Sequence, residues 1–232
     1  MKKTVGILGG MGPLATAELF RNITLLTDAA SDNEHLRVIV DSNTAIPDRT
    51  AAILHGGADP RPQMTASAKL LQNAGADFLI MPCNTAHYFL NDVASQVSIP
   101  FISMIEETVR EVERQGFTTV GVLSTAGTAQ SGVYSNAFEA RGIKPLVPDA
   151  DEQEYVTDVI YKGVKAGNYS LDVSGLRRLV DRLMNDGAQV LILGCTELPM
   201  AFDAWKLPGR TLDPAHVLAV RAIEYAGGTV KK

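Results

Sequence analysis

The sequence has 232 residues, of which 46% are hydrophobic, and its 21 lysine and arginine residues against 26 aspartate and glutamate residues give a formal net charge of −5. A chain of this size can bury a core without disulfides or metals, and its interspersed charges form no basic stripe for nucleic acid or a membrane surface. We therefore expect a globular protein whose partner is a small molecule, with no nucleic-acid or membrane partner.

Short apolar or β-branched runs alternate along the chain with longer segments of helical periodicity. In chain order they predict a strand at 4–8, a helix at 14–28, a strand at 37–41, a helix at 63–73, a strand at 78–81, a helix at 105–115, a strand at 119–123, a helix at 174–185 and a strand at 190–193. Apolar strands separated by helix-length segments are typical of parallel sheets covered by helices on both faces. The predicted fold class is α/β.

Two sequence echoes indicate that the chain contains two copies of one unit. Residues 4–8 (TVGIL) resemble residues 119–123 (TVGVL), and residues 71–83 (LQNAGADFLIMPC) match residues 183–195 (LMNDGAQVLILGC). Repeats of this length are too long for a solenoid, so we expect two similar α/β domains. With Pro100 and the Pro208–Gly209 pair as crossover points, the predicted domains are residues 1–99 plus 208–232, and residues 100–207.

Cys83 and Cys195 are the only cysteines, and they occupy equivalent positions in the second echo. Each directly follows an apolar strand, at the sheet edge where open α/β sheets bind ligands. A helix N-terminus behind each cysteine is expected to lower the pKa of its thiol and to attract a carboxylate. A lone cysteine is more often a buried small hydrophobe, but this equivalence favours a two-base site that moves protons on opposite faces of one carbon.

The segment MKKTVGILGGMGP has a short, glycine-rich apolar run in place of a signal-peptide core, and no apolar run reaches the ~18 residues of a transmembrane helix. We therefore expect a cytoplasmic protein, in which thiols stay reduced and a disulfide between the two cysteines is disfavoured. The cysteines and the scattered histidines lack the spacing of metal ligands, so no metal is expected.

Six motifs spread over nearly the whole chain are similar to those of the aspartate racemase branch of the aspartate/glutamate racemase superfamily, which uses no pyridoxal phosphate. These motifs are GGMGP at 9–13, IPDRT at 46–50, MPCNTAH at 81–87, ISMIEET at 102–108, GVKAG at 163–167 and GCTE at 194–197. The two cysteine motifs are typical of the superfamily as a whole, and the arginine and lysine motifs favour the aspartate branch.

This resemblance implies two Rossmann-like domains related by pseudo-twofold symmetry, commonly in a homodimer, with the active site in the cleft between them. It implies a cofactor-independent isomerase that interconverts L- and D-aspartate, with Cys83 and Cys195 as the acid and base. Arg49 and Lys165 match positions that hold substrate carboxylates, as a dicarboxylate requires. The resemblance also indicates a set of pocket-lining residues. These are Met11, Asn84, Thr85, Thr125, Thr128 and Thr196.

Some of these residues have a plainer interpretation from the sequence alone. Lys165, near the end of a helix, is typical of a solvated cation, and Glu197 fits either the first turn of a helix or a role beside Cys195. His87 follows Cys83 by one helical turn, and a packing role is favoured over a role in adjusting the thiol. Glutamate racemases assist their thiols with an N-terminal Asp and a His after the second cysteine. This chain has neither, so the way in which each thiol is deprotonated stays open.

Four alternatives accompany this prediction. The segment GMGPLA at 10–15 fits a dinucleotide-binding fingerprint, with Asp41 ending the second strand, and would indicate a dinucleotide-dependent oxidoreductase, although Asp41 lies later than usual. Two lobes around a cleft also suit a non-catalytic dicarboxylate-binding protein. Within the superfamily, one alternative is a broader racemase for aspartate and glutamate. The other is a decarboxylase or isomerase of the same fold, but the two retained cysteines favour racemisation.

Overall fold

In a computed structural model that describes residues 2–231, the chain divides into two compact units. Unit 1 comprises the residues up to Glu107 and those from Ala215 onwards, and unit 2 comprises Thr108–Pro214. Each unit contains one sheet of parallel strands. The predicted α/β class with two sets of parallel strands is therefore confirmed.

The first part of the chain alternates strands and helices in the order predicted for a parallel sheet. Its elements are β1 (Val5–Gly9), α1 (Pro13–Leu26), β2 (Val38–Ser42), α2 (Arg49–His55), α3 (Arg61–Asn73), β3 (Phe78–Ile80), α4 (Leu90–Ala94) and α5 (Met104–Arg114). Two short 3₁₀ helices lie between them, at Asp32–Glu34 and Thr85–Phe89.

The second part repeats this alternation and then returns to unit 1 through a final helix. Its elements are β4 (Thr119–Ser124), α6 (Ala126–Ser131), α7 (Val133–Glu139), β5 (Lys144–Leu146), α8 (Ala150–Asp158), α9 (Ser174–Asn185), β6 (Val190–Gly194), α10 (Leu198–Ala204), β7 (Thr211–Leu212) and α11 (Pro214–Tyr225). A π-helix at Val159–Val164 continues directly from α8.

The two sheets share the register of their central strands. The strand orders are β2-β1-β3 and β5-β4-β6-β7, and Gly6 lies opposite Leu79 as Gly121 lies opposite Leu191. A Cβ atom on either glycine would come within 2.6 Å of the Cδ2 of that leucine. The glycine of each TVG segment thus leaves space for a leucine of the neighbouring strand, which gives the sequence repeat a physical cause.

The boundaries between the units lie several residues later than the crossover points proposed from the prolines. In unit 1, Leu79 and Phe101 form an isolated parallel β-bridge, and the Leu79 N–H donates to the Pro100 carbonyl at 2.8 Å. In unit 2, β7 pairs with β6, and the Leu191 N–H donates to the Arg210 carbonyl at 2.8 Å. The boundaries follow the last sheet contact of each unit because backbone pairing continues past both prolines.

Hydrophobic side chains cover both faces of the sheet in unit 1, as expected from strands that are apolar on both faces. Val5 and Ile7 pack in a cluster with α1 and α11, whereas Leu8 packs in a second cluster with α3. Cys83 belongs to this second cluster. In unit 2, Cys195 belongs to a cluster built on α8, α9, β6 and α10. Within residues 2–231, no helix has the length and apolar character needed to cross a membrane.

Candidate active site

The loop after β1 is held close to the backbone that follows β2. Gly10 has φ +91°, a conformation that favours glycine, and a Cβ atom there would lie 2.3 Å from the carbonyl carbon of Asn43. Its N–H donates to the Thr16 Oγ1 at 2.9 Å, which ties the loop to the first turns of α1. This contact fixes the position of Met11, which is buried in the same hydrophobic cluster as Cys83.

Arg49, the first residue of α2, links that loop to the segment after β2. Its Nη2 donates to the Met11 carbonyl at 3.3 Å, and its Nη1 donates to the carbonyls of Ile46 at 3.2 Å and Pro47 at 2.9 Å. The Nε of Arg49 is buried and has no hydrogen-bond partner among the described residues. Because an unpaired buried donor is costly, this N–H is a natural contact for a carboxylate oxygen.

Cys83 lies three residues beyond the end of β3, and it is buried with 8% of its surface exposed. Asn84 and Thr85 follow it and are also buried. The sequence predicts a helix N-terminus behind the cysteine, but the helix there is the five-residue 3₁₀ segment Thr85–Phe89. The structure therefore places Met11, Arg49, Cys83, Asn84 and Thr85 at the carboxyl ends of the strands of unit 1.

His87 supports the backbone of the cysteine loop through both of its ring nitrogens. Its Nε2 accepts a hydrogen bond from the Met104 N–H at 3.0 Å, so its Nδ1 carries the proton and donates to the Cys83 carbonyl at 2.8 Å. Burial lowers the pKa of His87 to about 4. The favoured packing role agrees with this geometry, since a neutral imidazole connects the loop to the start of α5.

In unit 2, Thr125 and Thr128 form the beginning of α6 directly after β4. Thr125 is the N-cap, and its Oγ1 accepts from the Thr128 N–H at 3.2 Å and lies 3.0 Å from the Thr128 Oγ1. The Ser124 carbonyl before them accepts from the Gln153 Nε2 at 3.0 Å. Both threonines are buried and follow the carboxyl end of the central strand.

Glu197 lies directly beside the thiol of Cys195. The Sγ of Cys195 donates to the Oε2 of Glu197 at 2.9 Å, and the Thr196 hydroxyl donates to the same oxygen at 3.2 Å. Cys195 is buried with 7% of its surface exposed, and the Glu197 side chain is 19% exposed. Glu197 is the N-cap of α10, so it lies at the start of a helix and beside Cys195 at the same time.

Lys165 reaches the other oxygen of Glu197 from the end of the π-helix. Its Nζ lies 3.6 Å from the Oε1 of Glu197 and 4.7 Å from the centre of the Tyr161 ring. The π-helix packs closely on α10, since a Cβ atom on Gly163 would lie 2.9 Å from the Trp205 ring. π-Helical turns are frequent at functional sites, and this one brings the Lys165 ammonium to the carboxylate while 43% of the lysine side chain stays exposed to solvent.

The expected lowering of the thiol pKa is wrong for Cys195. Burial raises the pKa of Cys195 well above its usual value, and the negative charge and hydrogen bond of Glu197 raise it further. The positive charge of Lys165 acts in the opposite direction but is the weaker influence. A buried thiol beside a carboxylate is held in its protonated form, so Cys195 in this structure is suited to act as an acid.

Comparison with known proteins identifies the family of the chain. Residues 8–222 match the model of the family described as Asp/Glu/Hydantoin racemase. An aspartate racemase from Picrophilus torridus has a similar structure, with 31% sequence identity, a TM-score of 0.82 and coverage of 99% of this chain and 96% of that one. An aspartate racemase homologue from Pyrococcus horikoshii OT3 is 26% identical, with a TM-score of 0.78 and coverage of 98% and 100%.

Among curated sequences, the broad specificity amino-acid racemase RacX of Bacillus subtilis is 25% identical over 203 residues, 86% of this chain and 87% of that protein. The chain belongs to the Asp/Glu/hydantoin racemase family. Its class of activity is therefore racemisation, and it is an isomerase.

Two features of the site depend on the tertiary structure. The sequence left the contact of Glu197 with Cys195 open, and the turn that precedes α10 brings this carboxylate to the thiol. Tyr134 of α7, which interacts electrostatically with Cys195, carried no signal in the sequence because an isolated tyrosine on a helix is typical of a core residue. Within residues 2–231, no three His, Cys, Asp or Glu side chains group as metal ligands.

Proposed function

We propose that the protein racemises aspartate without a cofactor, with Cys83 and Cys195 acting on opposite faces of one substrate α-carbon. One thiolate removes the α-proton, leaving the electron pair on the substrate as a carbanion, and the other thiol returns a proton from the opposite side. The observation that carries this proposal is the equivalence of the two cysteines. Both are buried at the strand ends of sheets that share one register.

Two cationic side chains support an acidic substrate. Arg49 has a buried Nε with no partner among the described residues, and a carboxylate oxygen would satisfy it with a charge-assisted hydrogen bond. Lys165 is paired with Glu197, but an ammonium group has three N–H donors and can bind a second carboxylate at the same time. We propose that these two groups hold the carboxylates of aspartate.

A second candidate is a racemase with broader substrates, because the relative from Bacillus subtilis is described as a broad specificity amino-acid racemase. The dinucleotide-dependent alternative is less well supported by the geometry. Helix α1 begins with Pro13, which lacks the N–H that a pyrophosphate would contact at the first helical position. A non-catalytic binding protein would have no use for a thiol hydrogen-bonded to a carboxylate.

The test is a chiral assay of the dialysed protein with L-aspartate, L-glutamate and L-alanine in deuterium oxide, without added pyridoxal phosphate, nicotinamide or metal. We expect D-aspartate that carries deuterium at its α-carbon, while the recovered L-aspartate carries almost none at early times. With two bases, the abstracted proton stays on one thiol and a solvent-derived deuteron arrives from the other. We expect alanine to be a poor substrate because it lacks the second carboxylate.

Three results would contradict the proposal in different ways. Activity that disappears on exhaustive dialysis and returns with one cofactor would exclude a cofactor-independent reaction. Equal deuterium in recovered L-aspartate and in the D-aspartate product would indicate a single base. Comparable rates with aspartate and alanine would favour the broader racemase.

A further inference from the structure

The Cys195 thiol donates its only proton to a carboxylate, so its environment differs from that of a free thiolate base. In the hydrogen bond from Sγ to the Glu197 Oε2, at 2.9 Å, the proton lies between the sulfur and an anionic oxygen. The same oxygen accepts from the Thr196 hydroxyl, and the other oxygen faces the Lys165 ammonium. Each Glu197 oxygen therefore has a partner that fixes its orientation toward the thiol.

A racemase of two thiols must nevertheless use Cys195 as a base for one of the two enantiomers. With the proton held on the sulfur, this direction requires a group that takes it at the moment of reaction. We propose that Glu197 is the proton acceptor of Cys195 and that Lys165 is its positioning residue. This inference rests on the proposed racemase function and identifies how one of its two thiols is activated.

The proton transfer balances within the contacts described. The S–H bond of Cys195 breaks, its electron pair stays on the sulfur, and the proton forms an O–H bond with Glu197. The thiolate then takes the substrate α-proton and becomes S–H again, while the carbanion receives the proton of Cys83 on its other face. Glu197 finally releases its proton to solvent, and Cys83 takes one up, which restores the starting state.

The charged groups around Cys195 act on it in known directions. The negative Glu197 raises the pKa of the thiol and the positive Lys165 lowers it, both in addition to the larger effect of burial. Tyr134 also interacts with Cys195, but burial raises the pKa of its phenol, with the Asp213 charge acting in the same direction. Tyr134 therefore stays neutral, and Glu197 and Lys165 are the charges to change.

The experiment measures the pH dependence of Cys195 alkylation by iodoacetamide in a Cys83→Ala background, where no other cysteine is present. Removing the Glu197 charge with Glu197→Gln should move the alkylation profile to lower pH by about one unit or more. Lys165→Met should move it to higher pH. Asp203→Asn and Lys162→Met are matched controls, since both side chains are more than half exposed and form local ion pairs on the same two helices.

The second measurement is racemisation by Glu197→Gln with both cysteines present. We expect a loss of about 10²-fold or more, the usual scale for removal of a group that accepts a proton, although the thiol of this variant ionises more easily. A lower thiol pKa combined with lower activity is the signature of a lost proton acceptor. A structural role of Glu197 would reduce activity without shifting the alkylation profile.

The inference is overturned if Glu197→Gln leaves either the alkylation profile or the racemisation rate unchanged. If that variant does not fold, Lys165→Met carries the test alone, and an unchanged profile or a shift to lower pH overturns the inference. The alkylation profile needs no substrate, so it separates two failures. If the protein has no racemase activity but shows the expected shifts, only the proposed function is contradicted. If it is an active racemase without the shifts, only the role of Glu197 is contradicted.

Discussion

Cys83 and Cys195 occupy equivalent positions in two sheets of the same register, yet different side chains surround them. Two residues after the cysteine, unit 1 has Thr85 and unit 2 has Glu197, whose carboxylate accepts a hydrogen bond from the thiol. Four residues after it, unit 1 has His87, which holds the Cys83 carbonyl, and unit 2 has a proline, which has no N–H and no polar side chain. The repeated backbone thus carries two different thiol environments.

In the proposed two-base reaction, the two thiols would therefore start from different surroundings. The main chain and its glycines set where each sulfur lies, and those positions repeat because backbone pairing is the same in both units. The polar neighbours differ between the units, and at Cys195 the Glu197 carboxylate accepts a hydrogen bond from the thiol. Three changes test this comparison.

The largest expected effect is the loss of either cysteine. We expect Cys83→Ala and Cys195→Ala each to reduce racemisation by at least about 10²- to 10⁴-fold, because in the proposed two-base mechanism each direction then lacks its base or its acid. The measurement is the initial rate with L-aspartate and with D-aspartate, together with a circular dichroism spectrum to check folding. Full activity in either variant would break the comparison, since it would make one of the two thiols dispensable.

The second change concerns His87, which has no counterpart in unit 2. Because its pKa is lowered to about 4 by burial, the neutral form is favoured in the folded protein. Stability from this group is present above the unfolded value of 6.5 and is lost as the pH falls from there toward 4, by up to about 3 kcal/mol.

Urea unfolding of the wild type and of His87→Gln, from pH 7 to pH 4, measures this loss. Glutamine keeps an acceptor for the Met104 N–H but does not titrate, so the difference in unfolding free energy between the two proteins should shrink as the pH falls. His55→Gln is a matched control, because His55 is an exposed histidine at the end of α2. An identical pH dependence in all three proteins would contradict the neutral, buried His87.

The smallest effect compares the two glycines of the central strands. A Cβ on Gly6 would lie 2.6 Å from the Leu79 side chain, 2.9 Å from the Ala76 Cβ and 3.3 Å from a backbone oxygen. On Gly121 it would meet the Leu191 side chain at 2.6 Å, but its next contacts are at 3.4 and 3.5 Å. A leucine end can move and a backbone cannot, so Gly6→Ala should cost about 1–3 kcal/mol and Gly121→Ala less.

Thermal or urea unfolding of the two alanine variants measures this order. Gly75→Ala is not a suitable control, because its φ of +94° adds strain of its own. Gly12, where a Cβ would meet no atom within 4 Å, is the better reference for added volume. A greater loss for Gly121→Ala would contradict the tighter contacts around Gly6 as the cause of the difference.

The sequence by itself determined the fold class, the repeat and the two cysteines, because these depend on local patterns. The predicted strand at 190–193 corresponds to β6 (Val190–Gly194), and the predicted helix at 174–185 corresponds to α9 (Ser174–Asn185). The short strands β5 and β7 were missed because they have three and two residues, and β5 contains a proline. Such edge strands exist only through pairing with a neighbour that lies far away in the sequence.

The tertiary structure alone decided which charged groups lie beside Cys195. Nothing in the spacing of Lys165 and Glu197 indicates an ion pair, since 32 residues separate them and a π-helix packed on α10 brings them within 3.6 Å. The pKa of Cys195 also depends on the tertiary structure. Burial and the Glu197 charge raise it, whereas the helix N-terminus predicted from the sequence was expected to lower it. Electrostatic environments depend on what lies nearby in space, which a linear pattern records only when the neighbours are also close in sequence.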